Sequence, residues 1–132
     1  MKKLLFIIIL LCGAVSHIRG QEMRTIFLEA PDSIFPLLSG SYRADLVDYV
    51  DAGMTARVTN SLDGSSTLEE LAADYMRLAV TASSTMQLKL LPLQGDTVIC
   101  MVKSVNAEAA DSRIYFYDKE WNLLDGTEMY SL

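Results

Sequence analysis

The sequence predicts an α+β domain in which an N-terminal helix pair packs on an antiparallel β-meander of about four to five strands. Apolar residues at helical spacing indicate the helices in the first half of the chain, and alternating, β-branched runs indicate the strands in the second half. Short turns separate the successive strands, and such turns favour antiparallel pairing between neighbours. The 132 residues give the length of one domain.

Two helices are predicted before the strands begin. The first covers residues 31–38, because Pro31 and the acidic residue after it suit a first helical turn. The second covers residues 43–53, where apolar side chains share one face and the final glycine supplies a C-terminal stop. A brief capped helical turn is predicted at residues 67–71, because Thr67 is followed three residues later by a glutamate.

Strands are indicated by period-two alternation and by β-branched residues in the remainder of the chain. An Asp-Gly turn at residues 63–64 separates the first strand from the later ones. No internal repeat, low-complexity run or linker interrupts the pattern. The candidate strands of this meander are a short one at residues 55–59, then residues 74–81, 86–93, 97–105 and 112–117, and a last short one at residues 121–124.

The strand at residues 97–105 is apolar on both of its sides. Val98, Cys100 and Val102 point one way, whereas Ile99 and Met101 point the other way. A sheet that is covered on one face alternates apolar with polar residues, so the sequence predicts that both faces are covered here. Four ways of covering the second face remain open: residues 67–73, self-association, a protein partner, or chain beyond Leu132.

The first twenty residues are typical of a secretory signal peptide. Two lysines precede an apolar run of about 12 residues, which is too short to span a bilayer as a helix. Cleavage is expected after Gly20, with Ser16 as the alternative, and Cys12 is removed with the apolar run. Residues 21–132 are therefore predicted to form a single domain, exported to the periplasm or cell envelope of a Gram-negative bacterium, with no transmembrane segment after cleavage.

The charge and residue types of the exported part exclude several classes of function. Removing residues 1–20 lowers the number of basic residues from 11 to 8 against 17 acidic ones, a net charge of −9. This balance disfavours nucleic acid as a partner, because phosphate contacts need a basic surface. The single histidine is removed with the leader, which excludes Ser-His-Asp triads and His-ligated zinc, and Cys100 has no partner for an internal disulfide.

No catalytic, cofactor-binding or metal-ligating residues are predicted, and the chain is not expected to be an enzyme. It contains no G-x-S-x-G, P-loop or G-x-G-x-x-G motif. The nearest metal pattern is Asp63-Gly64 followed by Glu70, which supplies fewer carboxylates than a calcium loop requires. A hairpin turn that leads into a capped helix explains the same residues, so no calcium site is predicted.

Aromatic and apolar residues of the last strands form the candidate interaction surface. The preferred function is a non-enzymatic protein-interaction domain that contacts a protein partner or a second copy of itself. One alternative is a small-ligand or glycan binder that uses the three aromatic residues of this set, and another is a carboxylate-based envelope hydrolase. The surface consists of Tyr115, Tyr117, Trp121, Ile99 and Met101.

Several segments together resemble one known family, the small exported Bacteroidales proteins grouped as domain of unknown function family 3256. The resemblance covers nearly all of residues 21–125 and implies an exported α+β domain, without any catalytic residue, cofactor or partner. Members of that family run on past the equivalent of Leu132, which implies that this chain is a short version. The matching segments are residues 31–36, 43–51, 83–85, 89–92, 98–101 and 116–118, with Trp121 after them.

Overall fold

The computed structural model describes residues 22–106 and 109–124, which form two helices followed by one six-stranded sheet. Each strand pairs antiparallel with the next one along the chain. The α+β class and the meander are thus confirmed, although the sheet has more strands than predicted. The elements are α1 (Glu22–Glu29), α2 (Gly40–Asp51), β1 (Arg57–Thr59), β2 (Ser65–Leu71), β3 (Tyr75–Thr81), β4 (Ser84–Leu93), β5 (Asp96–Asn106) and β6 (Ala110–Tyr117).

Helix α1 lies upstream of the predicted first helix, so the assignment of a helix to residues 31–38 is wrong. Met23, Ile26 and Phe27 have helical spacing, and all three are buried in the core. Residues 31–38 form turns with backbone hydrogen bonds between residues three apart. Pro36 explains the difference, because proline has no N–H and its ring clashes with a preceding helical turn.

Helix α2 confirms the second predicted helix and begins three residues earlier than expected, at Gly40. Its buried apolar residues, Leu46 and Val47, face the sheet, while Asp45 and Asp48 lie on the exposed side. A helix that packs one of its faces against a core has this burial pattern. Within the part of the chain that the structure describes, no helix is long and apolar enough to cross a membrane.

Strand β2 corrects the prediction of a helical turn at residues 67–71. Ser66 and Leu68 are buried, whereas the residues that flank them are more exposed, which is the alternation of a strand. Strand β2 also has partners on both sides, β1 and β3, with a bulge between Leu68 and Glu70. The threonine and glutamate that resemble a helix cap therefore occupy strand positions, since pairing on two edges outweighs the local capping pattern.

Residues 118–124 form a turn that follows β6, in place of the predicted last strand. Asp118 Oδ1 accepts two backbone N–H groups at 2.9 Å each, and its Oδ2 accepts Nδ2 of Asn122 at 3.0 Å. Hydrogen bonds from the backbone and side chain of Asn122 hold the pKa of Asp118 below its usual value. Within this segment, Leu123 forms an isolated antiparallel bridge to Tyr117 of β6.

The two faces of the sheet differ in what covers them. On the inner face, Ile99 and Met101 are fully buried in one core cluster with residues of both helices. On the outer face, Val98 is 6% exposed but lies outside that cluster, and Cys100 and Val102 are half-buried. The prediction that these two sets point in opposite directions is confirmed. Among the described residues, both helices pack on the inner face.

A buried arginine joins the two helices. Arg43 on α2 is 2% exposed, and its Nη1 donates to the carbonyl oxygens of Ala30 at 2.7 Å and Phe27 at 3.3 Å, just where α1 ends. Its Nη2 donates to Asp32 Oδ1 at 2.8 Å, and the guanidinium carbon lies 5.4 Å from the centre of the Phe35 ring. Burial lowers the pKa of Arg43, and the charge of Asp32 opposes that shift. A cation at a helix C-terminus satisfies carbonyl groups that no helical N–H reaches.

Candidate functional site

The structure places the five residues of the predicted interaction surface on the inner side of the sheet. Ile99 and Met101 are fully buried, while Tyr117 and Trp121 are 9% and 8% exposed. Tyr115 is half-buried and packs against the same core. Four of the five side chains are therefore unavailable to a partner, which corrects their assignment to an exposed surface.

The aromatic residues among them stabilise the core. Trp121 Nε1 donates to the carbonyl oxygen of Ile26 at 3.1 Å, and the Trp121 ring lies 5.2 Å from Tyr117 and 6.0 Å from Phe35. Desolvation by burial is the main cause that raises the pKa of the Tyr117 phenol. A sugar-binding platform needs an open aromatic face. Trp121 and Tyr117 are buried against each other at an interplanar angle of 58°, so this cluster does not favour the glycan-binding alternative.

The outer face carries a different apolar set, which we name the apolar stripe. The register places Cys100 opposite Phe116, Val102 opposite Ile114, and Val98 opposite Leu91. Ile114 is 43% exposed, Val98 is buried, and the other members are half-buried. The stripe crosses three neighbouring strands and consists of Leu91, Val98, Cys100, Val102, Ile114 and Phe116.

The sequence predicts that the residues of this stripe on β5 are apolar, but it does not show that the helices leave this face of the sheet uncovered. Both sets of side chains on β5 are apolar, so alternation alone cannot decide which set the helices cover. The flanking strands carry the missing information, because Gln87 and Lys89 on β4 share the outer face with Val102 and Cys100. Polar residues in these register positions mark the outer face as the one nearer to solvent.

Charged side chains border the apolar stripe on the β3 and β4 side. Lys89 Nζ donates to Asp74 Oδ2 at 2.8 Å, and Arg77 Nε lies 3.8 Å from Glu69 Oε2. The hydrogen bond from Lys89 is the main cause that lowers the pKa of Asp74. Each pair contains one positive and one negative side chain, so this border adds no net charge to the outer face.

Cys100 lies within the apolar stripe and is not activated for chemistry. Burial raises the pKa of its thiol, so the protonated form predominates at neutral pH. A reactive cysteine requires a neighbouring cation or a helix N-terminus to stabilise the thiolate. The register partners of Cys100 are Lys89, whose ammonium is paired with Asp74, and Phe116. Its environment is that of a packing residue.

The turn that resembles part of a calcium loop is stabilised by the buried side chain of Asn60. Asn60 Oδ1 accepts the N–H groups of Leu62 at 3.0 Å and Gly64 at 3.2 Å, and its Nδ2 donates to Ser66 Oγ at 2.9 Å. Asp63 has the left-handed backbone of a tight turn, with φ of 61°. Across residues 22–106 and 109–124, no group of three or more His, Cys, Asp or Glu is placed to hold a metal ion.

A pocket of about 190 Å³ opens at the end of the inner face, between residues 34–38 and the ends of β3, β4 and β5. Its floor includes Phe35, Leu38 and Leu78, all of which are buried. Its outer parts include Lys103, which is exposed. The lining of the pocket is therefore mostly apolar and includes one charged residue, Lys103.

Comparison with known proteins places the chain beside proteins without an assigned role. The family model described as Protein of unknown function (DUF3256) matches residues 15–132. A solved structure, described as a domain of an uncharacterized protein from Porphyromonas gingivalis W83, is similar with 30% sequence identity and a TM-score of 0.71. The similarity covers 84% of this chain and 57% of that chain, so this chain spans just over half of its neighbour. No curated protein matches the sequence.

Proposed function

We propose that this chain, which belongs to the family Protein of unknown function (DUF3256), is a non-enzymatic interaction domain that self-associates through the apolar stripe. Its membership agrees with the resemblance seen in the sequence. The observation that carries the proposal is β5, which is apolar on both faces although the described helices pack on the inner face only. Apolar area on an otherwise polar sheet face is typical of a contact surface.

The charged side chains around the apolar stripe favour a second copy of the chain as the partner that covers it. A two-fold contact places the same patch against itself, so any net charge on the patch would repel its copy. Residues 21–132 have a net charge of −9. The border of the stripe nevertheless adds no net charge, because its two cations, Lys89 and Arg77, are each paired with a carboxylate of the same chain. Two sheets can then pack face to face at about 10 Å without a large electrostatic penalty.

The test is the oligomeric state of residues 21–132, measured by size-exclusion chromatography with light scattering over a wide dilution range. We expect a dimer for the wild-type chain and a monomer for Val102→Lys, because this change places a charge at the centre of the stripe. Ser112→Lys is the matched control, since Ser112 shares the outer face but lies outside the stripe. Circular dichroism melting establishes that each variant is folded.

Two results would contradict self-association through the stripe. If the wild-type chain is a folded monomer at every concentration, it does not self-associate. A dimer that survives Val102→Lys as well as it survives Ser112→Lys would place the interface elsewhere. The wild-type dilution series answers the first question even when a variant fails to fold.

We further propose that the domain acts after export to the periplasm or cell envelope. The supporting observation is the pair of lysines followed by an apolar run within residues 1–20. Expression of the full chain in a Gram-negative host, followed by intact-mass measurement of the periplasmic fraction, tests it. We expect a product that begins at Gln21, or at His17 if cleavage follows Ser16. An uncleaved chain in the cytoplasm would contradict export.

A further inference from the structure

We propose that the pocket beneath residues 34–38 binds a small amphipathic anion, a carboxylate with an aliphatic tail of about six carbons or slightly more. The tail would occupy the apolar base of the pocket, and the carboxylate would lie at its mouth. This site is on the inner side of the sheet, whereas the apolar stripe is on the outer side. The inference therefore goes beyond self-association and does not depend on it.

The base of the pocket suits a tail because its lining is almost entirely hydrocarbon. Phe35, Leu38 and Leu78 back the pocket and are each at most 2% exposed. The apolar surface that a tail can reach belongs mainly to the half-buried Ile34, Leu37 and Val80. Val80 and Met86 line the pocket as well and extend this apolar wall along β3 and β4. Apolar surface gains free energy when an apolar group covers it and removes it from water.

The lining of the pocket includes a lysine, Lys103, without a carboxylate partner among the described residues. Of the lysines in the described residues, Lys89 lies 2.8 Å from Asp74 and Lys119 lies 3.4 Å from Glu22. No described carboxylate lies within 4.0 Å of Lys103, whose Nζ is 5.4 Å from the centre of the Tyr115 ring. In a chain with an excess of acidic residues, this lysine can accept an external anion.

A second cation strengthens the preference for an anion. Arg113 on β6 is the register partner of Lys103 on β5, so both side chains lie on the same face of adjacent strands. Like charges in directly opposite positions destabilise a sheet. The Asp111 carboxylate lies 3.9 Å from Arg113 Nε, on an exposed part of β6. A bound carboxylate near Lys103 would relieve the repulsion that remains between the two cations.

The volume of the pocket sets the length of the tail. Its 190 Å³ is similar to apolar protein cavities that accept a benzene-sized molecule. By that comparison the pocket holds about six carbons. Octanoate, with its carboxylate at the mouth, is therefore the first probe.

Binding is measured by the fluorescence of Trp121, the only tryptophan in the sequence. Its ring lies 6.0 Å from Phe35, which lines the pocket, so a ligand there changes the surroundings of the indole. The titrated series is butanoate, hexanoate, octanoate and decanoate. We expect each added methylene to tighten binding about fourfold up to octanoate and little beyond it. Equal affinity across the series, or no saturable change with any member, would overturn the proposal.

The role of the charge is tested with a neutral ligand and a matched pair of variants. We expect 1-octanol to bind about tenfold more weakly than octanoate, because it lacks the charge that Lys103 recognises. Lys103→Met should reduce octanoate affinity about tenfold and leave octanol affinity unchanged. Lys89→Met is the control, since it removes the same charge from the outer face. Equal loss in both variants, or no loss in Lys103→Met, would contradict an anion site at the pocket.

Discussion

Replacement of Arg43 tests how the two helices are held together. Arg43→Met keeps most of the apolar stem of the side chain but removes the guanidinium that donates to the carbonyl oxygens of Phe27 and Ala30. Each buried carbonyl that loses its donor costs about 1–3 kcal/mol. The 2.7 Å bond to Ala30 should account for most of the loss, and the 3.3 Å bond to Phe27 for less. We expect a total destabilisation of about 2–4 kcal/mol.

The control for this variant is Asp32→Asn, which removes the charge that faces Arg43 but leaves the carbonyl contacts in place. Asp32 is 70% exposed, so its ion pair should contribute less than about 1 kcal/mol. Urea unfolding followed by circular dichroism gives both free energies of unfolding. In thermal melts, Arg43→Met should unfold about 10–15 °C below wild type. If Asp32→Asn is as destabilising as Arg43→Met, the ion pair rather than the carbonyl contacts joins the helices.

Three further predictions concern single side chains. Trp121→Phe should lower the free energy of unfolding by about 1–3 kcal/mol in urea, because the carbonyl of Ile26 loses its donor; an unchanged value would mean that water replaces the indole. The pKa of Asp118 is lower in the folded state than in the unfolded state, so its contribution to stability is complete above the unfolded pKa and is lost as pH falls through the folded pKa. Acid titration of stability should therefore be less steep in Asp118→Asn than in wild type, and equal slopes would refute this. Because burial raises the pKa of the Cys100 thiol, native protein at neutral pH should react with a thiol reagent more slowly than unfolded protein, and equal rates would show that the thiol is accessible.

The parts of the fold that could be predicted from the sequence are those where local pattern and tertiary packing agree. Helix α2 and strand β5 are examples, since the helical spacing of Leu46 and Val47 and the β-branched residues of β5 match their final environments. Helix α1 is not among the predicted helices, because Pro31 and Asp32 carry the start signal from which the first helix is predicted.

The parts that could not be predicted depend on contacts between distant residues. Strand β2 is fixed by partners on both edges, which no pattern within residues 65–71 reveals. The choice of the open face of β5 depends on where the helices pack, so Ile99 and Met101 were assigned to the surface although they belong to the core. The pocket at Lys103 is another such case, because residues 34–38 and the strand ends meet only in the folded chain.

The hydrogen bond between Trp121 and Ile26 joins residues 95 positions apart, whereas every strand in the sheet pairs with its immediate neighbour in sequence. Local pairings close short loops at low entropic cost, and contacts between distant residues close long loops at a higher cost. Other contacts between the helical layer and the sheet close shorter loops, since Met23 N donates to the carbonyl oxygen of Ala73 at 3.2 Å and α2 contacts β1 and β2. The Trp121 bond closes the longest loop among these contacts at the highest entropic cost, so we expect it to form late in folding.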